Sequence, residues 1–188
     1  MKKQTAVFLD RDGTINEEVG YLDSLEKLQI FPRAYEAVRL INRNGMKAVV
    51  ITNQSGVARG YFDEDFVESV HARMQKMFRH RRACIDRFYY CPHHPTEGTG
   101  IYRVSCPCRK PEAGLLIQAS EEMGLDLAGS YMVGDMPKDI EAARKAGVKA
   151  ILVRTGYGSE HSSFPLRPDF IAGDILDAVM WIIGDREK

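Results

Sequence analysis

The chain of 188 residues has no excess of either charge: 26 Lys+Arg stand against 26 Asp+Glu, a formal net charge of zero. That balance excludes partners held by bulk electrostatics, nucleic acid and anionic membranes alike, but leaves room for a small anion in a local basic pocket. Long apolar runs are missing too, and none nears the ~18–20 residues needed to span a bilayer. After Lys2 and Lys3 the apolar stretch Ala6-Val7-Phe8-Leu9 stops at Asp10, too short for a signal peptide, so the cytoplasm is the expected compartment. Neither an internal repeat nor a linker rich in Pro, Gly or Ser divides the chain, and one domain over residues 1–188 is expected. Hydrophobic residues at 44% suffice for a core and exclude wholesale disorder. Cysteine is scarce. Of the four, Cys91, Cys106 and Cys108 share 18 residues with His93 and His94, while Cys84 stands apart. Without an export signal, that clustering favours a metal over a disulfide framework.

Short β-type runs alternate with helical patterns. Strands are expected at 5–10, 46–52, 85–90, 130–134 and 150–154, with an edge strand at 170–172. Between them, Pro32 opens a helix carrying Ala34, Ala37, Val38 and Ile41 on one face. Asp63 caps a longer helix carrying Phe66, Val67, Val70, Met74, Met77 and Phe78 on one face. Further helices are expected at 112–123, 138–146 and 175–183. The alternation predicts an α/β fold: a doubly wound, Rossmann-like parallel sheet with helices on both faces and no large cap domain. Ligands in such sheets sit at the carboxyl ends of the strands.

Those ends carry acid and hydroxyl groups. The first strand ends in Asp10-Arg11-Asp12-Gly13-Thr14, where residues i and i+2 project to the same side. The second ends in Thr52-Asn53-Gln54-Ser55-Gly56, and a later one in Gly134-Asp135, with Asp139 at the start of the next helix, where it complements the dipole. Carboxylates gathered in a pocket repel by several kcal/mol and call for a cation. Oxygen ligands of this kind suit Mg²⁺ together with a phosphate, and Arg109-Lys110 offers positive charge for the latter. The chemistry predicted is Mg²⁺-assisted phosphoryl transfer.

These segments, in this order, resemble the haloacid dehalogenase superfamily of phosphatases, whose four motifs match Asp10–Thr14, Thr52, Lys110 and Gly134–Asp139. The likeness extends over nearly the whole chain to a branch acting on heptose bisphosphates, with histidinol-phosphate phosphatases as the nearest alternative and a non-catalytic phosphosugar-binding module further off. It implies removal of one phosphate through an aspartyl-phosphate intermediate, toward nucleotide-activated heptose and lipopolysaccharide, by a monomer. By that resemblance Asp10 is the nucleophile and Asp12 the general acid and base. Asp10, the Asp12 carbonyl and Asp135 hold Mg²⁺, while Thr52 and Lys110 bind phosphoryl oxygens. Substrate contacts are implied for Arg11, Glu18, Val19, Gly20, Tyr21, Asn53, Gln54, Ser55 and Arg109. The chain departs from the family at Met136, which often is Lys; either the pocket lacks that cation or Lys138 takes its place. Val19 stands where a relative carries a polar residue.

Cys91-x-His93 and Cys106-x-Cys108 form a Cys₃His set suited to tetrahedral, structural Zn²⁺ in a loop over residues 91–108. His94 is the rival ligand, and the resemblance favours His93. Cys84 is expected to pack as a small buried hydrophobe. The basic run Arg79-His80-Arg81-Arg82 reads as a helix C-terminus complementing its dipole rather than a nucleic-acid patch. His71 and His161 have no evident partner in the sequence, and Trp181 is expected to pack.

Overall fold

The first strand, β1 (Ala6–Leu9), is completely buried because it is central: β2 (Lys47–Asn53) flanks it on one side and β4 (Tyr131–Gly134) on the other, both parallel. The computed structural model describes residues 3–160 and 166–187, so His161 lies outside the described residues. β3 (Arg87–Cys91) pairs with β2, β5 (Lys149–Val153) with β4, and β6 (Phe170–Ala172) closes the far edge, giving the order β3-β2-β1-β4-β5-β6. All five pairings are parallel, as the alternation predicts.

The two-residue period of the strands divides the core. Val7 and Leu9 face one side, where α1 (Pro32–Arg43), α2 (Glu64–His80) and α5 (Ile175–Arg186) bring Val38, Ile41, Met74, Phe78, Val179 and Ile182. Ala6 and Phe8 face the other, where α3 (Gly114–Met123) and α4 (Pro137–Ala146) supply Leu115, Leu116, Ile140 and Ala143. Each such fully buried Leu, Ile, Val or Phe contributes about 1.5–3 kcal/mol over leaving it in water. Trp181 is partly buried and stacks on Phe170 at 4.9 Å.

Local signals set the helix ends. The Asp63 carboxylate accepts from Phe66 N at 2.8 Å and caps α2, while Arg79 and His80 occupy its last turn. Gly124 and Gly147 adopt the left-handed conformation that stops α3 and α4. α3 begins at Gly114, two residues later than the apolar pattern suggests. Glu112 N is already committed to Arg109 O, and Gly114 N donates to Pro107 O, folding this stretch back on the cysteine loop. Cys84 is a correction: it is exposed, because the alternation that buries Ala83 and Ile85 turns the residue between them outward. Among the described residues no helix is long and apolar enough to cross a membrane.

Candidate active site

Chain direction across the sheet reverses between β1 and β4, the switch point where such sheets open a crevice. Asp10 follows the last residue of β1 and Asp135 the last of β4. The loop after β1 folds around Arg11 O, which accepts from Ile15 N at 2.8 Å and Asn16 N at 3.2 Å. Gly13, at φ +79°, lets that loop press on Asp135; a Cβ there would lie 2.3 Å from Asp135 Oδ2.

Beneath the pocket, the Lys110 ammonium is fully buried and three-way bound. It lies 2.8 Å from Asp10 Oδ1 and 2.7 Å from Asp139 Oδ1, and donates to Ile51 O at 2.8 Å. Burial works against its charge, but the two carboxylates outweigh burial and push its pKa up to about 12. The backbone of Lys110 is clamped by Asn53, whose amide donates to Lys110 O at 2.9 Å and accepts from Lys110 N at 3.0 Å. Asp139 also accepts from Met136 N at 3.0 Å, so it both caps α4 and braces Lys110.

Asp10 Oδ1 additionally accepts from Arg11 N at 2.8 Å, whereas Asp10 Oδ2 has no hydrogen bond among the described residues, and Asp10 lines the pocket. Burial, then the Asp139 charge, raise the Asp10 pKa against the pull of Lys110 and Lys138. Asp135 holds Tyr157 N on Oδ2 at 2.8 Å and leaves Oδ1 buried with no partner among the described residues. Burial, with repulsion from Asp10 and Asp139, pushes Asp135 up to about 8. Ligand oxygens of Asp10, Asp135 and Asp139 lie within 4.8 Å of one another. The orphaned oxygens of Asp10 and Asp135 and this mutual repulsion fit a hard divalent cation.

Asp12 is held differently. Arg11 reaches it through Nε (3.1 Å) and Nη2 (2.9 Å), Asn16 donates at 2.9 Å, and Gln54 donates at 3.0 Å. Burial pushes the Asp12 pKa up, but Arg11 and the amides together outweigh it and hold the carboxyl below its usual range. Gln54 Nε2 also donates to Thr52 Oγ1 at 2.9 Å.

Above these groups opens a cavity of about 350 Å³. Of the residues singled out in the sequence, Asp10, Arg11, Asp12, Glu18, Gly20, Tyr21, Thr52, Asn53, Gln54, Ser55 and Arg109 line it, while Lys110 and Asp135 lie beneath. Val19 is 39% exposed and is not part of the lining. Glu18 is partly buried, and burial together with the Asp12 and Asp10 charges raises its pKa. Lys138 and Met136 both reach the cavity, and Lys138 makes no ion pair among the described residues. Phe62 and Tyr157 are lining residues that sequence reasoning missed. The signal that would have found Tyr157 is the strand-end rule itself, extended to the loop after β5. Gly156 in that loop runs so close to Asp135 Oδ2 that a Cβ would lie at 2.2 Å.

Beside the pocket, Cys91 Sγ lies 3.4 Å from Cys106 Sγ and 3.2 Å from Cys108 Sγ, and His93 Nδ1 is 3.4 Å from Cys108 Sγ. The Cys106–Cys108 separation of 2.7 Å is too long for a disulfide. Three sulfurs and one imidazole nitrogen converging this way fit a tetrahedral soft cation. His94 stands outside the set: its Nδ1 accepts from Thr96 N at 3.3 Å and Glu97 N at 2.9 Å, and its Nε2 faces Arg59 Nη2 at 3.5 Å. The loop is wired to the pocket. Arg109 Nη1 donates to His93 O at 3.0 Å, and Tyr102 Oη donates to Glu64 at the start of α2 at 2.6 Å.

A doubly wound parallel sheet with a carboxylate–lysine cluster at its switch point defines a HAD-type phosphatase, and a HAD-hydrolase-like family model matches residues 107–178. A curated relative from Thermosynechococcus vestitus, named D-glycero-D-manno-heptose-1,7-bisphosphate 7-phosphatase, is 42% identical, with 94% of each chain covered. The Escherichia coli K12 relative, named for the β form of the same sugar, is 42% identical over 82% of each. The crystal structure of D,D-heptose 1,7-bisphosphate phosphatase from B. bronchiseptica, complexed with magnesium and phosphate, matches with TM-score 0.86 at 28% identity, covering 97% of this chain and 99% of that one. The chain belongs to the D-glycero-D-manno-heptose-1,7-bisphosphate 7-phosphatase family, and it is a phosphoric monoester hydrolase.

Proposed function

We propose that this chain removes the 7-phosphate of D-glycero-D-manno-heptose 1,7-bisphosphate, acting as a cytoplasmic, single-domain monomer on the way to nucleotide-activated heptose. The observation that carries the reading is Asp10: one carboxylate oxygen is tied to Lys110 while the other is unbonded in a pocket that also holds Asp12 and Thr52. The free Oδ2 attacks phosphorus, the bond from phosphorus to the sugar oxygen breaks, and the departing oxygen takes a proton from Asp12. In the ligand-free protein Asp12 is held ionised; the dianion of an arriving phosphoryl group raises its proton affinity and loads the acid. Asp12 then takes a proton from the water that attacks the aspartyl phosphate, which releases inorganic phosphate and restores Asp10.

Lys110 and the Thr52 hydroxyl offset the charge that spreads over the phosphoryl oxygens in each transition state. Asp10, the Asp12 carbonyl and Asp135 would hold Mg²⁺, which when bound neutralises phosphoryl charge. Cys91, His93, Cys106 and Cys108 would hold a structural Zn²⁺ that fixes the loop presenting Arg109. Arg109 and Lys138 are the pocket cations not spent on a carboxylate among the described residues, and they suit the phosphate that stays on the sugar. Glu18 and Tyr157 suit its hydroxyls. The test compares kcat/KM for the heptose bisphosphate and for histidinol phosphate with Mg²⁺ present. A large preference for the bisphosphate supports the reading, and a preference for histidinol phosphate overturns it while keeping the chemistry.

A further inference from the structure

Gln54 was singled out in the sequence as a substrate contact, yet its side chain is only 4% exposed and its amide is spent inside the protein. Oε1 accepts from Arg11 Nη2 at 3.0 Å, and Nε2 donates to Asp12 Oδ2 at 3.0 Å and to Thr52 Oγ1 at 2.9 Å. The orientation of the amide is forced by its neighbours. A guanidinium only donates, so the amide oxygen must face Arg11, and that leaves the nitrogen toward Asp12 and Thr52. Both N–H protons are then committed, one to Asp12 and one to Thr52, and none is left for a sugar oxygen.

That commitment has a consequence at Thr52. With Gln54 donating into Oγ1, the Thr52 hydroxyl keeps its own proton free, and Thr52 lines the cavity. A hydroxyl whose acceptor side is occupied presents a donor, which is what a phosphoryl oxygen requires. The same amide fixes one oxygen of Asp12, whose other oxygen is held by Arg11 Nε and Asn16.

We propose that Gln54 is a positioning residue that aims the Thr52 hydroxyl at the phosphoryl group and fixes the Asp12 carboxylate, and that it makes no contact that selects the sugar. The inference rests on the roles proposed above for Asp12 and Thr52. Its test is Gln54→Met, similar in length but without polar atoms, assayed on the heptose bisphosphate and on p-nitrophenyl phosphate, which has no sugar. A misaimed Thr52 donor, together with a misplaced Asp12 base for hydrolysis of the aspartyl phosphate both compounds share, lowers kcat by about 100-fold on both with KM held within about threefold. A rise in KM confined to the bisphosphate, with p-nitrophenyl phosphate turnover unchanged, makes Gln54 a sugar contact and overturns the proposal. Unchanged kinetics on both compounds overturns it too. Should Gln54→Met fail to fold, Gln54→Glu keeps the acceptor for Arg11, deletes both amide donors, and carries the same expectations. If the wild-type protein shows no preference for the bisphosphate, the substrate reading fails while the p-nitrophenyl phosphate comparison still decides the role of Gln54.

Discussion

Replacing Lys110 by Met removes the one cation among the described residues that touches both Asp10 and Asp139, at 2.8 Å and 2.7 Å, along with a donor to Ile51 O. Both partners are buried, so the substitution leaves two carboxylates facing each other without their countercharge. Breaking a buried pair from one side costs about 3–5 kcal/mol. For a chain of this size, about 2–4 °C per kcal/mol converts that to a fall in melting temperature of roughly 10 °C. The loss depends on pH in a definite direction. Burial and Asp139 already raise the Asp10 pKa, and without Lys110 it rises further, so the folded variant takes up a proton that relieves the repulsion at low pH. The destabilisation is therefore smaller at pH 5.5 than at pH 8. Mg²⁺ at pH 8 restores part of it by substituting one positive charge for another. Turnover falls by about 10²–10³, the size of losing one preorganised electrostatic contact to the transition state. Thermal melts without added Mg²⁺ at the two pH values, a further melt at pH 8 with Mg²⁺, and phosphate release assayed with Mg²⁺ check each of these in turn. A variant melting within about 2 °C of the parent at pH 8 refutes the argument that Lys110 neutralises the floor of the site.

Three further expectations follow from single contacts. His71 is buried against Phe88 at 4.6 Å with both ring nitrogens unpartnered among the described residues; burial, then the charge of Arg11, drive its pKa down to about 3. Below about pH 6.5 the unfolded chain binds a proton that the folded one refuses, so stability falls with pH, by about 2 kcal/mol at pH 5, and His71→Leu flattens that part of the acid limb in denaturant titrations. Gly156→Ala places a Cβ 2.2 Å from Asp135 Oδ2 at φ +55°, and calorimetry should show Mg²⁺ affinity reduced at least about tenfold. With the proposed Zn²⁺ held by Cys91, His93, Cys106 and Cys108, a chelator that prefers zinc to magnesium lowers the melting temperature and raises KM more than it lowers kcat. Arg109 then loses the fixed carbonyl of His93 that it donates to at 3.0 Å, and readded Zn²⁺ reverses both effects.

The sheet was legible because its strands are short apolar runs ending in polar, glycine-bearing loops, and that pattern alone puts Asp10, Thr52 and Asp135 at one edge. Helix starts were legible where a residue with one job stood there, as with Pro32 and Asp63. What stayed hidden depends on which way a polar side chain turns. Nothing in Asn53-Gln54-Ser55 says that Asn53 clamps the Lys110 backbone or that Gln54 is spent on Asp12 and Thr52, since an amide after a strand serves solvent equally well. Asp139 read as a helix-dipole partner because its bond to Lys110 joins positions far apart in the chain. Phe62 and Tyr157 belong to no periodic pattern, and only the folded loops bring them to the cavity. Cys84 was misread from the average behaviour of cysteine, although its neighbours Ala83 and Ile85 already carried the two-residue alternation that turns it outward.

The most direct test of the account follows the two phosphorus resonances of D-glycero-D-manno-heptose 1,7-bisphosphate by NMR, with enzyme and Mg²⁺ present. The account predicts that the 7-phosphate signal converts to inorganic phosphate while the 1-phosphate signal persists. Release of the 1-phosphate, or no release from either position by protein that hydrolyses p-nitrophenyl phosphate, would contradict it.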